Sequence, residues 1–365
     1  MSKHDLLKLA ILASFKPQTF DFTGMKRNAP VTIKQVAAAA GVHYSTVSRA
    51  LNPATRAKVT PQLAERVTAA ARDLGYRANA AASTLRTRQS KIIGFLVPDL
   101  GSLLFPQILV GIEQELRRAG YMTVVADTGN DPQQHTRIIS GLIERQVDGL
   151  IVATATLRKP VTAQWPGEHI PIVLLNRTDD SGLTPAVLHD DQSGIGMAVA
   201  HLIGLGHRHI AHIAGPSFLS TGRARRRGFR LAIDERLAGA PQVIAEATHY
   251  SREAGRAACL GVLAAHPQTT AIVAANDLLA IGCYDALTER GLACPGDVSV
   301  TGYNDIALAD VVRPSLTTVQ LNHREMGAEA ARLLMALMAG EERSADIVLR
   351  PALIVRGSTA SPRAA

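Results

Sequence analysis

Between Tyr44 and Leu51 the sequence sets hydrogen-bonding side chains against apolar ones. Val47 and Leu51 recur at i, i+4 as an inward pair, which leaves Tyr44, Ser45, Thr46, Ser48 and Arg49 facing outward. A guanidinium can grip guanine O6 and N7 with two hydrogen bonds, while hydroxyls fix register on phosphates, so such a face suits a duplex. A second group of candidates stands where apolar strands end. Asp277 follows the run Ala271 to Ala275 and Phe105 lies at the end of an opposite strand, while Arg225, Thr221 and Tyr250 carry side chains of suitable chemistry elsewhere in the chain. A carboxylate and a guanidinium in one cleft can hold vicinal hydroxyls, a carboxylate or a polar ring through charge-assisted hydrogen bonds. Plainer roles are open for each: Arg225 as one of four arginines on a solvated helix face, Asp277 as a helix cap, the two aromatics as core.

Catalysis finds no support. No Gly-x-Ser-x-Gly elbow, His-Glu-x-x-His pair or Gly-x-x-x-x-Gly-Lys-Ser loop is present, and no Gly-x-Gly-x-x-Gly follows Ile92 to Val97. His207 and His209 read as partners of a helix C-terminus rather than metal ligands, because an i, i+2 pair lacks a third Cys or His neighbour. No cofactor is implied.

The 365 residues carry a net charge of +8, and its placement is informative. Residues 1–90 hold 14 Lys/Arg against 4 Asp/Glu, whereas the remainder holds 25 against 27. Concentrated positive charge attracts phosphate backbones, although charge alone also fits a solvated basic tail. No apolar run approaches the ~18 residues of a membrane span. Three scattered cysteines, Cys259, Cys283 and Cys294, give neither a disulfide framework nor metal spacing, and no export signal is evident, so a reducing cytoplasm is expected.

Elements must then position these groups. Residues 1–30 show no sustained period and read as a leader, either disordered or lying before a true start at Met25. In 31–78, Thr32 and Gln35 form a capping box before a helix with Ile33, Val36, Ala37 and Ala40 on one face, and Gly41 ends it. The Tyr44–Leu51 helix follows. A third opens at Thr60-Pro61, places Leu63, Val67, Ala70, Ala71 and Leu74 inward, and stops at Gly75. Three such helices make a helix-turn-helix, although a small helical cap without a partner is also possible. Residues 79–90 form an alanine-rich hinge or linker. From 91 to 365 short apolar strands alternate with amphipathic helices, including one through Ile108, Val110, Ile112 and Leu116 and one from Arg223 to Leu237. Alternation of this kind predicts two α/β lobes with ligands bound beyond the carboxyl ends of their strands.

The segments Val31-Thr32-Ile33-Lys34-Gln35-Val36-Ala37 and Gly41-Val42-His43-Tyr44-Ser45-Thr46-Val47-Ser48-Arg49-Ala50-Leu51-Asn52 resemble the signature of the lactose/galactose repressor (LacI/GalR) family. Leu74-Gly75-Tyr76-Arg77 and Ile93-Gly94 continue it, and the likeness reaches Arg356-Gly357-Ser358-Thr359. The resemblance implies an all-α helix-turn-helix DNA-binding domain plus an α/β two-lobed periplasmic-binding-protein-like core. It implies base contacts by Tyr44, Ser45 and Arg49, and phosphate or capping roles for Thr32, Thr46, Ser48 and Asn52. His43 stands where the family usually has Ser. Asn79 to Arg86 resembles the family's hinge helix, with Asn79, Ala82 and Leu85 at its DNA-contacting positions, Leu85 as the minor-groove leucine and Ala78 in place of a proline. Asp277, Arg225, Thr221, Tyr250 and Phe105 match effector contacts, while Ser102-Leu103-Leu104-Phe105 replaces the usual Asn-Pro-Phe-Phe. The function so implied is a transcription regulator of repressor type, a homodimer or a higher assembly of such dimers, on a near-palindromic operator, controlled by a small polar metabolite such as a sugar or sugar acid. A solute-binding receptor or a sugar-processing enzyme would share the core fold.

Overall fold

The computed structural model describes residues 31–52, 55–76, 89–157, 160–161, 170–179, 181–341 and 345–363. The expected leader, and the hinge residues Asn79, Ala82 and Leu85, lie outside them. The chain divides into two compact units, residues 1–86 and 87–365.

The first unit is built on α1 (Ile33–Ala39), α2 (Tyr44–Leu51) and α3 (Pro61–Asp73), with a single 3-10 turn at Arg56–Lys58. Gln35 Oε1 accepts from the Thr32 N–H at 2.8 Å and from its hydroxyl at 3.0 Å, which fixes the start of α1. Gly41 adopts φ +60° and turns the chain, while Val42 N–H donates back to Ala37 O. Val36, Val47 and Val67, one from each helix, meet with Ala37, Ala40, Ala50, Ala64 and Ala71 in a small core. Leu74, expected inward, is 40% exposed: it sits past the end of α3, where the helical period no longer aims its side chain at the core.

The second unit contains two sheets of the same plan. β1 (Ile92–Val97), β2 (Met122–Asp127), β3 (Gly149–Val152), β4 (Ile172–Leu175) and β5 (Ala186–His189) form the first, with α4 (Phe105–Arg118) and α5 (Pro132–Glu144) between its early strands. The chain then crosses through α6 (Asp191–Gly204) into β6 (Ile210–Ala214), α7 (Ser220–Arg236), β7 (Val243–Glu246), α8 (Arg252–Ala265), β8 (Ala271–Ala274), α9 (Asp277–Glu289), β9 (Ser299–Asn304) and β10 (Thr317–Gln320). It returns through α10 (His323–Met338) to β11 (Ile347–Leu349) and crosses a third time to β12 (Ala352–Ile354). The strand orders are β11-β5-β4-β3-β1-β2 and β12-β10-β9-β8-β6-β7, parallel throughout except where β12 runs against β10.

Parallel strands buried on both faces need unbroken apolar runs, and β1 (IIGFLV) and β8 (AIVA) supply them. Each sheet reverses its winding beside its first strand, between β1 and β3 and between β6 and β8, which opens a crevice at the carboxyl ends there. Val110, placed inward by periodicity, is 47% exposed, because Ile108, Ile112 and Leu116 already fill the buried face of α4. The helix expected from Arg223 begins at Ser220. Helices α8 and α9 press together at Gly282, where a Cβ would lie 2.1 Å from Arg252 O. Among the described residues no helix is long and apolar enough to cross a membrane, and no three His, Cys, Asp or Glu side chains cluster as metal ligands.

Candidate nucleic-acid interface and ligand cleft

Helix α2 presents the outward face the sequence predicts. Val47 and Ala50 are buried, Leu51 is partly so, Tyr44 is half exposed, Arg49 is exposed, and Ser45, Thr46 and Ser48 are partly open. His43 caps this helix: its Nδ1 accepts from the Ser45 hydroxyl at 2.8 Å and from the Ser45 N–H at 3.4 Å. An imidazole therefore fills the place of an N-cap hydroxyl. Thr55 Oγ1 donates to Arg49 O at 3.1 Å, tying the turn after α2 to its last residues. Thr32 is occupied with the cap of α1, and Asn52 is the residue that ends α2.

The second unit holds a cleft of about 1110 Å³. Its lining comes from the segments that follow β1, β2, β3 and β4 in one lobe and β6, β7, β8 and β9 in the other, as the two switch points require. Phe105, Thr221, Arg225 and Tyr250 all line it. Thr221 Oγ1 and Tyr250 OH are 3.3 Å apart, within a hydrogen bond.

Arg225 is 3% exposed and already partnered. Its Nε donates to Asp191 Oδ1 at 3.0 Å, its Nη2 lies 3.0 Å from the same oxygen, and its Nη1 donates to Ala275 O at 2.8 Å. The guanidinium also lies over the Tyr303 ring at 4.0 Å. Burial opposes both charges and raises the pKa of Asp191; against that same burial, the Asp191 carboxylate holds Arg225 well above its ordinary value. The pair is a fixed polar floor with two N–H groups of Arg225 left to offer.

Asp277 departs from expectation. It does not line the cleft: its carboxylate is fully buried, accepting from Thr318 Oγ1 at 2.5 Å and from Ile306 N–H at 2.8 Å. Burial pushes its pKa up to about 7 despite those donors. As the first residue of α9 it turns inward to brace the loop after β9, while Asn276 caps the helix through Leu279 N–H at 2.9 Å and reaches the cleft instead. His207 likewise differs. It is buried, with Nδ1 2.9 Å from Thr270 Oγ1 and Nε2 2.8 Å from Ala360 O, so it fastens the C-terminal segment rather than facing a helix end.

Sequence reasoning missed Asn130, Asn176, Arg177 and Asn304, all in the cleft wall. The three asparagines have φ of +56°, +60° and +109°, the left-handed region that asparagine tolerates better than most residues. Backbone held there at strand ends concentrates at binding sites. The available signal was the polar pair Asn176-Arg177 directly after the apolar Ile172-Val173-Leu174-Leu175.

Comparison with known proteins bears on both regions. Residues 32–79 match the family described as bacterial regulatory proteins, lacI family, and residues 199–359 match the periplasmic binding protein-like domain. The chain is 33% identical over 336 residues to the HTH-type transcriptional regulator DegA of Bacillus subtilis strain 168, covering 90% of this chain and 98% of that one. It is 31% identical over 328 residues to the ribose operon repressor of the same organism, again covering 90% and 98%. Among solved structures, the lac repressor dimer bound to operator and the anti-inducer ONPF matches with TM-score 0.79 at 28% identity, over 91% of this chain and 100% of that one. A LacI family regulator from Enterococcus faecium with bound ribose matches with TM-score 0.65 at 28% identity, over 74% and 100%.

Proposed function

This chain belongs to the LacI family of bacterial regulatory proteins, and on that premise we propose that it is a homodimeric repressor whose cleft admits a small polar metabolite that sets operator affinity. Two α2 helices related by a twofold axis match two half-sites of a near-palindromic operator. Arg49, Tyr44 and Ser45 read base edges, while Thr32, Thr46, Ser48 and Asn52 hold phosphates or caps. Asn79, Ala82 and Leu85 belong to a hinge that orders on DNA, because eight residues alone in water make a marginal helix. Ligand closure of the lobes separates the two hinges and withdraws Leu85 from the minor groove. We read the cleft as a binding site rather than a catalytic one, in a protein that works beside DNA in the cytoplasm.

The observation that carries this reading is the capped α2, with its polar, basic face turned to solvent, in the same chain as a large cleft that mixes apolar surface with polar side chains. Its relatives are transcription regulators. The test begins with operator selection from random DNA using the purified protein, followed by titration at fixed moderate salt. The Arg49→Ala change is expected to weaken discrimination by about 1–3 kcal/mol at one base pair of each half-site. A cleft ligand is expected to shift operator affinity 5–150-fold, the ordinary span of coupling between two sites. No preference for any sequence over random competitor ends the proposal.

A further inference from the structure

Among the described residues of the cleft, Arg177 is a buried cation with no counter-ion. Resting on the reading of the cleft as the effector site, we propose that the effector carries an anionic group, a carboxylate or a phosphate, seated on the Arg177 guanidinium.

Arg177 follows β4 and lines the cleft with only 8% of its surface exposed. Its backbone N–H donates to Leu175 O at 2.6 Å, which fixes the side chain's root beside Asn176. Its Nε is fully enclosed and has no hydrogen-bond partner. The neighbouring groups that act on its charge are Tyr250 and another cation, Arg225. Removal from water pulls its pKa down to about 10, so it stays protonated at neutral pH.

The nearby carboxylates are committed elsewhere. Asp191 serves Arg225. Asp179, two residues away and buried, accepts from Val161 N–H, Ser181 N–H and the Ser181 hydroxyl. Asp99 and Asp131 are exposed at the rim, where they accept from Gly101 and Gln133 N–H. A buried cation left alone is strongly unfavourable, and a planar guanidinium with free N–H groups matches a carboxylate or phosphate through paired charge-assisted bonds. Neutral hydroxyls would satisfy the hydrogens and leave the charge.

The test uses the full chain and matched probes: D-glucose, D-gluconate and D-glucose 6-phosphate, then D-ribose and D-ribose 5-phosphate. Calorimetry and melting temperature are measured at constant ionic strength, with inorganic phosphate and malonate compared against chloride. The expected result is that an anionic member binds at least tenfold tighter than its neutral partner and that phosphate or malonate raises the melting temperature above chloride. The acid and phosphate arms distinguish the two sources of charge. In Arg177→Leu both effects vanish while the ligand-free protein melts at the same or a higher temperature; in Arg177→Lys they shrink, and in Arg117→Leu, exposed on α4 and outside the cleft, they persist. The inference is overturned if neutral sugars bind as well as their anionic partners, if no anion exceeds chloride, or if Arg177→Leu keeps the anion preference. Operator affinity is followed separately. An anion that binds through Arg177 without changing it refutes the regulatory reading alone, and a neutral sugar that changes it refutes the anion inference alone.

Discussion

Replacing Asp191 by alanine removes the carboxylate that neutralises Arg225, and the burial of the pair sets the size of the effect. The two side chains are 4% and 9% exposed, so the abandoned guanidinium keeps its charge with little access to water. Breaking a buried pair from one side costs about 3–5 kcal/mol, and Asp191 as the first residue of α6 adds a few tenths through the helix N-terminus. At about 2 °C per kcal/mol for a domain of this size, the melting temperature should fall by about 6–10 °C. The internal control is the pair formed by Arg256 and Glu289, whose side chains are each 46% exposed. There Glu289→Ala should cost about 0–1 kcal/mol, since solvent screens the pair before the change and solvates Arg256 after it. Urea unfolding gives the free energies, with an unchanged slope confirming that stability alone has moved. The double change Asp191→Leu with Arg225→Met should recover most of the loss, because no buried charge remains. A loss at Asp191 no greater than that at Glu289, or a double variant no better than Asp191→Ala, would refute the argument.

Three further outcomes follow from the same geometry. His43→Ala should loosen the start of α2 by about 0.5–2 kcal/mol, read as faster amide exchange at Ser45 and Thr46, and His43→Ser should restore protection; equal exchange in all three proteins removes the capping role. Gly282→Ala should destabilise by about 1–3 kcal/mol, since its Cβ meets backbone at 2.1 and 2.6 Å, whereas Gly196→Ala, with nothing within 4 Å, should stabilise by about 0.5–1 kcal/mol. Melting both variants checks the opposite signs. Asp277 binds its proton more tightly folded, at about pH 7, than unfolded, at about 3.9, so its contribution weakens as pH rises through that window and is flat above it. Wild type should therefore lose stability relative to Asp277→Asn between about pH 4 and 7, and parallel pH curves would show that the carboxyl does not titrate there.

Periodicity made most of this fold legible. Val36, Val47 and Val67 meet as their spacing requires, and Phe105, Thr221, Arg225 and Tyr250, named for the effector by resemblance, all line the cleft. Its limits have physical causes. Arg177 follows a four-residue apolar run just as Asp277 does, and nothing in the local sequence says which polar residue after such a run faces the cleft. Asp277 stands at a strand end like the others, but the choice between facing the cleft and facing Thr318 depends on β10, more than forty residues further on. His207 finds Thr270, Ser299 and Ala360 only once the sheet has assembled. Local sequence encodes which element a residue joins; the partner of a buried polar group is set by distant chain.

The third crossing between sheets governs how the protein can be made. β5 takes β11 as its outer neighbour, yet β11 emerges from the ribosome about 160 residues after β5. At about 5–20 residues per second, the nascent first lobe waits about 8–30 s with a row of unpaired backbone groups along β5. A message truncated between codons 321 and 346 deprives both sheets of a border strand at once, so such termination yields two sticky edges rather than one intact lobe.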